Sequence, residues 1–166
     1  CEKVIADLRN TVYGGRAIDV EFDTRDIRGG EKTWQWIKRG VPIRLEVGPR
    51  DVAQESVFMA RRDKGPKEKE SVKATDFVAN APAILQEIQD GMFGKAKAFR
   101  EANTHVIDSK DEFYEFFKDG DGGFALTHFG GDPKLEDDIK KDLAVTVRCI
   151  PLDGQGLADG ESGECP

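Results

Sequence analysis

Gly40-Val41-Pro42-Ile43-Arg44-Leu45-Glu46-Val47-Gly48-Pro49-Arg50-Asp51 is the stretch from which the fold is read. Successive side chains of an extended chain point to opposite faces, so Ile43, Leu45 and Val47 enter a core while Arg44 and Glu46 look out together. Upstream, Glu31 to Arg39 reads as a short helix carrying Trp34 and Trp36, with Gly40 as its stop and Arg28-Gly29-Gly30 as the break before it. Ile18, Val20 and Phe22 alternate with Asp19, Glu21 and Asp23, the pattern of a strand with one polar face. Val4, Ile5, Leu8 and Val12 are spaced for a first helix that Gly14-Gly15 would stop. Downstream, Ser56 to Ala60 reads as a buried strand, Lys64-Gly65-Pro66 as a hairpin turn and Glu68 to Ala74 as the partner strand.

A long helix is expected from about Asn80 to Asn103, with Pro82 in its first turn and Ile84, Leu85, Ile88, Met92, Ala96 and Phe99 as its apolar stripe. Ser109 to Glu112 forms a capping box for an aromatic helix with Phe113, Phe116 and Phe117, and Asp132-Pro133 starts another through Leu135, Ile139 and Leu143. Two strand-like runs, Phe124 to Phe129 and Val145 to Leu152, flank that last helix. The fold class is therefore α/β: a mixed sheet flanked by helices over residues 1–103, linked through the long helix to a small α/β unit over 104–166. The tail from about 153 holds four glycines and little to bury, which predicts a mobile end. An α/β unit that opens on a helix, with Cys1 in place of Met, is expected to be cut from a longer chain that carries the sheet's first strand upstream.

At 166 residues, 38% hydrophobic and 34% charged, the chain is long enough for one domain or two small ones and too apolar for a disordered polymer. No run approaches the roughly 18 apolar residues of a membrane span, so a soluble, cytoplasmic protein with no membrane partner is expected. Cys1, Cys149 and Cys165 give neither a disulfide framework nor a CxxC pair, and Cys149 falls in a strand pattern that reads as core. His105 and His128 lie in no nucleophile motif, which removes the hydrolases. Asp119-Gly120-Asp121-Gly122-Gly123 begins like a calcium loop, but Gly130 stands where the bidentate Glu is required. Gly14-Gly15 and Gly29-Gly30 lack the strand-to-helix setting of a phosphate cradle.

The net charge of −7 hides an asymmetry. Lys32 to Lys73 holds eleven Lys and Arg against six Asp and Glu, a local +5, and the remainder holds 14 against 26, or −12. Localised positive charge is the footprint of a nucleic-acid partner. An Arg fork matches guanine O6 and N7, and a carboxylate accepts from N1–H and N2–H₂ of an unstacked guanine, so Arg44 with Arg50-Asp51 offers both halves of that recognition. Trp34 and Trp36, two apart on a helix, face different ways, so at least one belongs to the core.

Trp36, the Gly40 to Asp51 stretch, Arg61-Arg62-Asp63 and Thr146-Val147-Arg148-Cys149-Ile150-Pro151-Leu152 together closely resemble the C-terminal part of prolyl-tRNA synthetases of the archaeal and eukaryotic type, a likeness that runs from Cys1 to about Pro151. The resemblance implies an anticodon-binding domain with a mixed sheet, then a C-terminal zinc-binding-like domain. It implies that the sheet reads the two guanines shared by proline anticodons. By position the base-reading roles fall on Arg44, Arg50, Asp51 and Lys67, with Lys69 as the alternative lysine. The family glutamate after the tryptophan is replaced here by Ile37, and Arg50 stands where a lysine is often found. The family's zinc site uses four cysteines, two near the segment His128 to Leu135 and two in a terminal CxxC; of these only Cys165 has a counterpart, so the zinc site is expected to be lost.

The implied function is recognition of tRNA(Pro) as part of a proline-tRNA ligase, a homodimer whose ATP- and magnesium-dependent catalytic domain precedes residue 1. The chain alone would be noncatalytic and without a cofactor. The alternative is a synthetase-derived accessory or regulatory module that binds another protein through the same sheet.

Overall fold

The structure is a computed structural model that describes residues 1–120 and 122–152; the expected mobile tail lies outside them. The chain divides into two compact units, 1–95 and 96 onward. The first holds α1 (Glu2–Arg9), a hairpin of β1 (Val12–Tyr13) and β2 (Arg16–Ala17), α2 (Gly29–Lys38), β3 (Ile43–Glu46), α3 (Pro49–Ala53), β4 (Ser56–Arg61), β5 (Lys69–Lys73) and most of α4 (Ala74–Ala102). The second holds the end of α4, then β6 (Thr104–Val106), α5 (Lys110–Phe117), β7 (Phe124–Leu126) and α6 (Pro133–Leu143). This is the mixed α/β class expected from the sequence.

The first unit is organised by a three-stranded antiparallel sheet in the order β3-β4-β5. Ile43 pairs with Arg61 and Glu46 with Phe58, while Ser56 pairs with Lys73 and Ala60 with Lys69. Val57 and Met59 turn into a core with Leu8 of α1 and Phe77 and Ala81 of α4, and Ile43, Leu45, Val47 and Val72 pack around them. Lys64-Gly65-Pro66 does make the β4–β5 turn, closed by Glu68, whose N–H donates to the Gly65 carbonyl and whose carboxylate accepts from the Gly65 N–H, each at 2.9 Å.

Three elements from the first part of the chain differ from the sequence expectation. Gly14-Gly15 does not stop a helix: α1 ends at Arg9, and the glycines, at φ of +59° and +79°, form the two-residue turn of the β1–β2 hairpin, where left-handed backbone is required and glycine adopts it without strain. Residues 18–22 show the predicted alternation, and Ile18 and Val20 pack on the core, but the segment pairs with no strand among the described residues. Helix α4 begins at Ala74, so Pro82 lies inside the helix instead of in its first turn. A proline there forfeits the hydrogen bond to the Val78 carbonyl, a cost of about 3 kcal/mol that burial of Phe77, Ala81 and Ile88 along the same helix offsets.

In the second unit β6 and β7 are parallel, joined through α5, and Ile107, Phe113, Phe117 and Ile139 form the core. Both predicted caps are present: Ser109 Oγ accepts from Glu112 N at 3.4 Å and Asp132 Oδ1 from Lys134 N at 2.9 Å. Val145 to Leu152 is not a strand in the described residues, and Cys149 is exposed, not core. Val145 packs against the core, but Val147, Ile150 and Leu152 are exposed, Ile150 to 92%.

Candidate nucleic-acid interface

Because Ile43 and Leu45 turn inward, Arg44 and Glu46 stand on the opposite face of the sheet, and the register decides what stands beside them. Arg44, Ala60 and Lys69 form one row across the three strands; Glu46, Phe58 and Ser71 form the next. Ala60 is small and only 4% exposed, a floor between two long cationic side chains. Lys69 Nζ donates to Glu46 Oε1 at 2.5 Å and stands 5.6 Å from the centre of the half-buried Phe58 ring. Arg44 is half-buried, and its buried Nε has no hydrogen-bond partner among the described residues.

Arg50 and Asp51 follow on α3, a five-residue helix entered through Gly48 and Pro49. Pro49 suits the first turn because its missing N–H would be unpaired there anyway. Asp51 Oδ2 accepts from Gly48 N at 2.9 Å, the back-bond of a helix start, while Arg50 is exposed. Lys73 Nζ donates to the Gln54 carbonyl at 2.8 Å, placing a cation at the carbonyl end of α3.

Lys67 is placed elsewhere. It belongs to the β4–β5 hairpin beyond Arg61, whereas Arg50 and Asp51 lie beyond the Ser56 end of the same strand. With about 3.3 Å of rise per residue, the six residues of β4 separate those two ends by roughly 17 Å. The lysine that shares a row with Arg44 is Lys69. Arg61 is committed internally: its guanidinium donates to both Asp63 oxygens, at 3.0 and 2.9 Å, and to Glu87 of α4 at 2.9 Å. These bonds raise its pKa, and the hydrogen bond from Arg61 holds the Asp63 carboxyl below its ordinary range. Arg62 donates to the Gly40 carbonyl at 3.2 Å. The Arg-Arg-Asp turn thus fastens the hairpin to α4 and to the end of α2.

Trp36 is structural, with its indole N–H donating to Asp23 Oδ2 at 2.8 Å and the Arg39 guanidinium 4.8 Å from its ring. Trp34 is 57% exposed, with Lys38 Nζ 5.5 Å from its ring. Sequence reasoning passed over Phe58, which sits in the apolar run Ser56 to Ala60 where no alternation marks which face is wet; only the β3–β4 register sets it beside Glu46.

The four-cysteine zinc site does not fit the residues present. The chain has three cysteines, Cys1 and Cys149 are free and exposed, and among the described residues no three His, Cys, Asp or Glu side chains gather where they could hold a metal ion. Among the same residues no helix is long and apolar enough to cross a membrane.

Comparison with known proteins finds relatives for both units. The family described as "Anticodon binding domain" matches residues 1–83, and "Prolyl-tRNA synthetase, C-terminal" matches 110–166. The chain is 48% identical to proline-tRNA ligase 2 of Anaeromyxobacter dehalogenans, over 99% of this chain and 34% of that protein, and 45% identical to the proline-tRNA ligase of Bdellovibrio bacteriovorus, over 89% and 30%. Among solved structures, prolyl-tRNA synthetase of Cryptosporidium parvum in complex with halofuginone and AMPPNP superposes with a TM-score of 0.69 at 26% identity, covering 99% of this chain and 32% of that one. The chain spans about a third of the length of the relatives it matches.

Proposed function

Since the chain belongs to the anticodon-binding domain family, in the form that prolyl-tRNA synthetases carry, we propose that it is the RNA-reading portion of a proline-tRNA ligase and binds the anticodon loop of tRNA(Pro) through the outer face of β3–β5 and the adjoining α3. The observation that carries this reading is the row Arg44–Ala60–Lys69, two cations over a small floor, continued at the sheet's end by exposed Arg50. Cations steer and hold a phosphate backbone, and an Arg fork beside a carboxylate selects guanine. Attachment of proline, with ATP and magnesium, belongs in this reading to the other two thirds of the ligase, working in the cytoplasm as a homodimer. Sedimentation of the full-length enzyme tests the dimer.

The direct test is binding of this chain to a tRNA(Pro) transcript and to a transcript with adenine at both anticodon guanines. The guanine transcript should bind more tightly, and Arg50→Ala should remove about 1–3 kcal/mol of that difference, the scale of one bidentate contact. Equal binding of the two transcripts by the unaltered chain would reject the reading. It also assigns no structural zinc to residues 104–166, since one matching cysteine cannot replace four ligands; one zinc per chain in metal analysis of protein purified without added metal would refute that part.

A further inference from the structure

Glu46 and Phe58 take no part in the assignment above, yet the register sets them in one row, directly across from each other and one row from Arg44. Recognition of a splayed-out guanine needs a donor fork for O6 and N7, an acceptor for N1–H and N2–H₂, and a flat apolar surface for its π-face. Arg44 offers the fork. One oxygen of Asp51 is already bonded to Gly48 N, and position 37 is isoleucine. Glu46 is a carboxylate on the same face as Arg44, with its side chain 47% exposed. Phe58 beside it is half-buried, with the Lys69 ammonium 5.6 Å from its ring centre, so the ring face comes free when Lys69 turns to a phosphate.

We propose that Glu46 is a specificity-determining residue, reading the N1–H and N2–H₂ edge of a guanine that stacks on Phe58, in an RNA loop held on this sheet. The inference rests on the RNA-binding reading and adds to it a second carboxylate and a stacking floor. Lys69 supplies the exchange that makes the site workable. In the free protein it neutralises Glu46, so that no bare carboxylate faces an approaching polyanion. On binding, a phosphate takes Lys69 and the base edge takes Glu46, so each charge keeps a partner. Adenine would present its N1 lone pair to the carboxylate, and the contact would be repulsive.

The experiment measures binding of the 166-residue chain to fluorescein-labelled 17-nucleotide anticodon stem-loops, one with guanine and one with adenine at the second and third anticodon positions, by anisotropy. Glu46→Gln should cut the guanine-to-adenine affinity ratio about tenfold, the worth of one charged hydrogen-bonding pair. Phe58→Leu should weaken both RNAs about tenfold or more, because stacking is blind to the base. Lys69→Met should weaken both alike and leave the ratio standing. Glu46→Asp, which keeps the charge, should retain part of the ratio, and a thermal melt of each variant separates a lost contact from a lost fold. A full ratio in Glu46→Gln, or equal losses on both RNAs, would overturn the role of Glu46 while leaving RNA binding by Arg44 and Arg50 intact. No guanine preference in the unaltered chain would instead remove the RNA-binding reading and this inference with it.

Discussion

Asp51 closes its own helix before it meets any ligand. Its carboxylate is a charge-assisted acceptor for Gly48 N, so Asp51→Asn should cost about 1 kcal/mol of unfolding free energy in urea, in protein that has never seen RNA. An unchanged midpoint would mean that the carboxylate serves binding alone. Asp23 is the more strongly held acid. The Arg25 guanidinium, bonded to it at 2.9 and 2.6 Å, and the Trp36 indole hold its carboxyl well below the usual carboxylate range. In the unfolded chain the same group titrates near 4. The folded state therefore binds fewer protons than the unfolded state below that point, and the stabilisation, complete at neutral pH, is lost as the pH falls. Urea midpoints taken between about pH 5 and pH 3 should fall less steeply in Asp23→Asn than in the unaltered chain; parallel curves would show that the cluster linking residues 23–25 to α2 adds nothing to acid stability.

Helix α4 carries glycines at 91 and 94, and a Cβ built at either meets no atom within 4 Å. Neither glycine is needed for space or for backbone conformation. Gly91→Ala and Gly94→Ala should each stabilise the chain by roughly 0.5–1 kcal/mol in urea or thermal unfolding, the ordinary difference between the two residues inside a helix. A loss instead would mean that the helix bends or packs there in the native molecule. This helix also shows how far elements are legible in sequence. Its apolar spacing gave its existence and its C-terminal end, but Pro82 reads locally as a first-turn residue, and only the tertiary burial of Phe77 and Ala81 extends the helix upstream past it. The outward pair Arg44 and Glu46 was legible because alternation is a local property of one strand. The identity of their neighbours was not, because pairing with Ala60, Phe58 and Lys69 depends on register between strands far apart in sequence. Gly14-Gly15 misled for a related reason: Val12 fits the helical spacing of α1 and equally serves as the first residue of a hairpin strand.

Over the whole molecule, a net charge of −7 opposes any polyanion, while the segment from Lys32 to Lys73 carries +5 against −12 for everything else. Binding through one face then has a signature that net charge alone would not produce. Each phosphate neutralised in a single-stranded loop contributes about 0.7 to the slope of log Kd against log salt concentration, so the phosphate contact assigned to Lys69 accounts for about 0.7 of it, while Arg44 and Arg50, on base edges, act on the guanine preference. Charges outside the face should alter the affinity slightly through long-range repulsion, which salt screens within about 10 Å, and leave the slope alone. Asp7→Asn, an exposed change on α1, whose Leu8 packs into the core on the inner face of the sheet, is the control for that expectation. The discriminating pair is Lys67 and Lys69. If the loop lies along the rows that hold Arg44 and Glu46, Lys69→Met lowers the slope by about 0.7, whereas Lys67→Met, beyond the far end of β4, leaves it unchanged. Measurement is by anisotropy of a labelled stem-loop over a series of potassium chloride concentrations. A reduced slope in Lys67→Met with none in Lys69→Met would place the RNA over the hairpin instead of the sheet face, and would return the lysine role to the position that the family resemblance first assigned it.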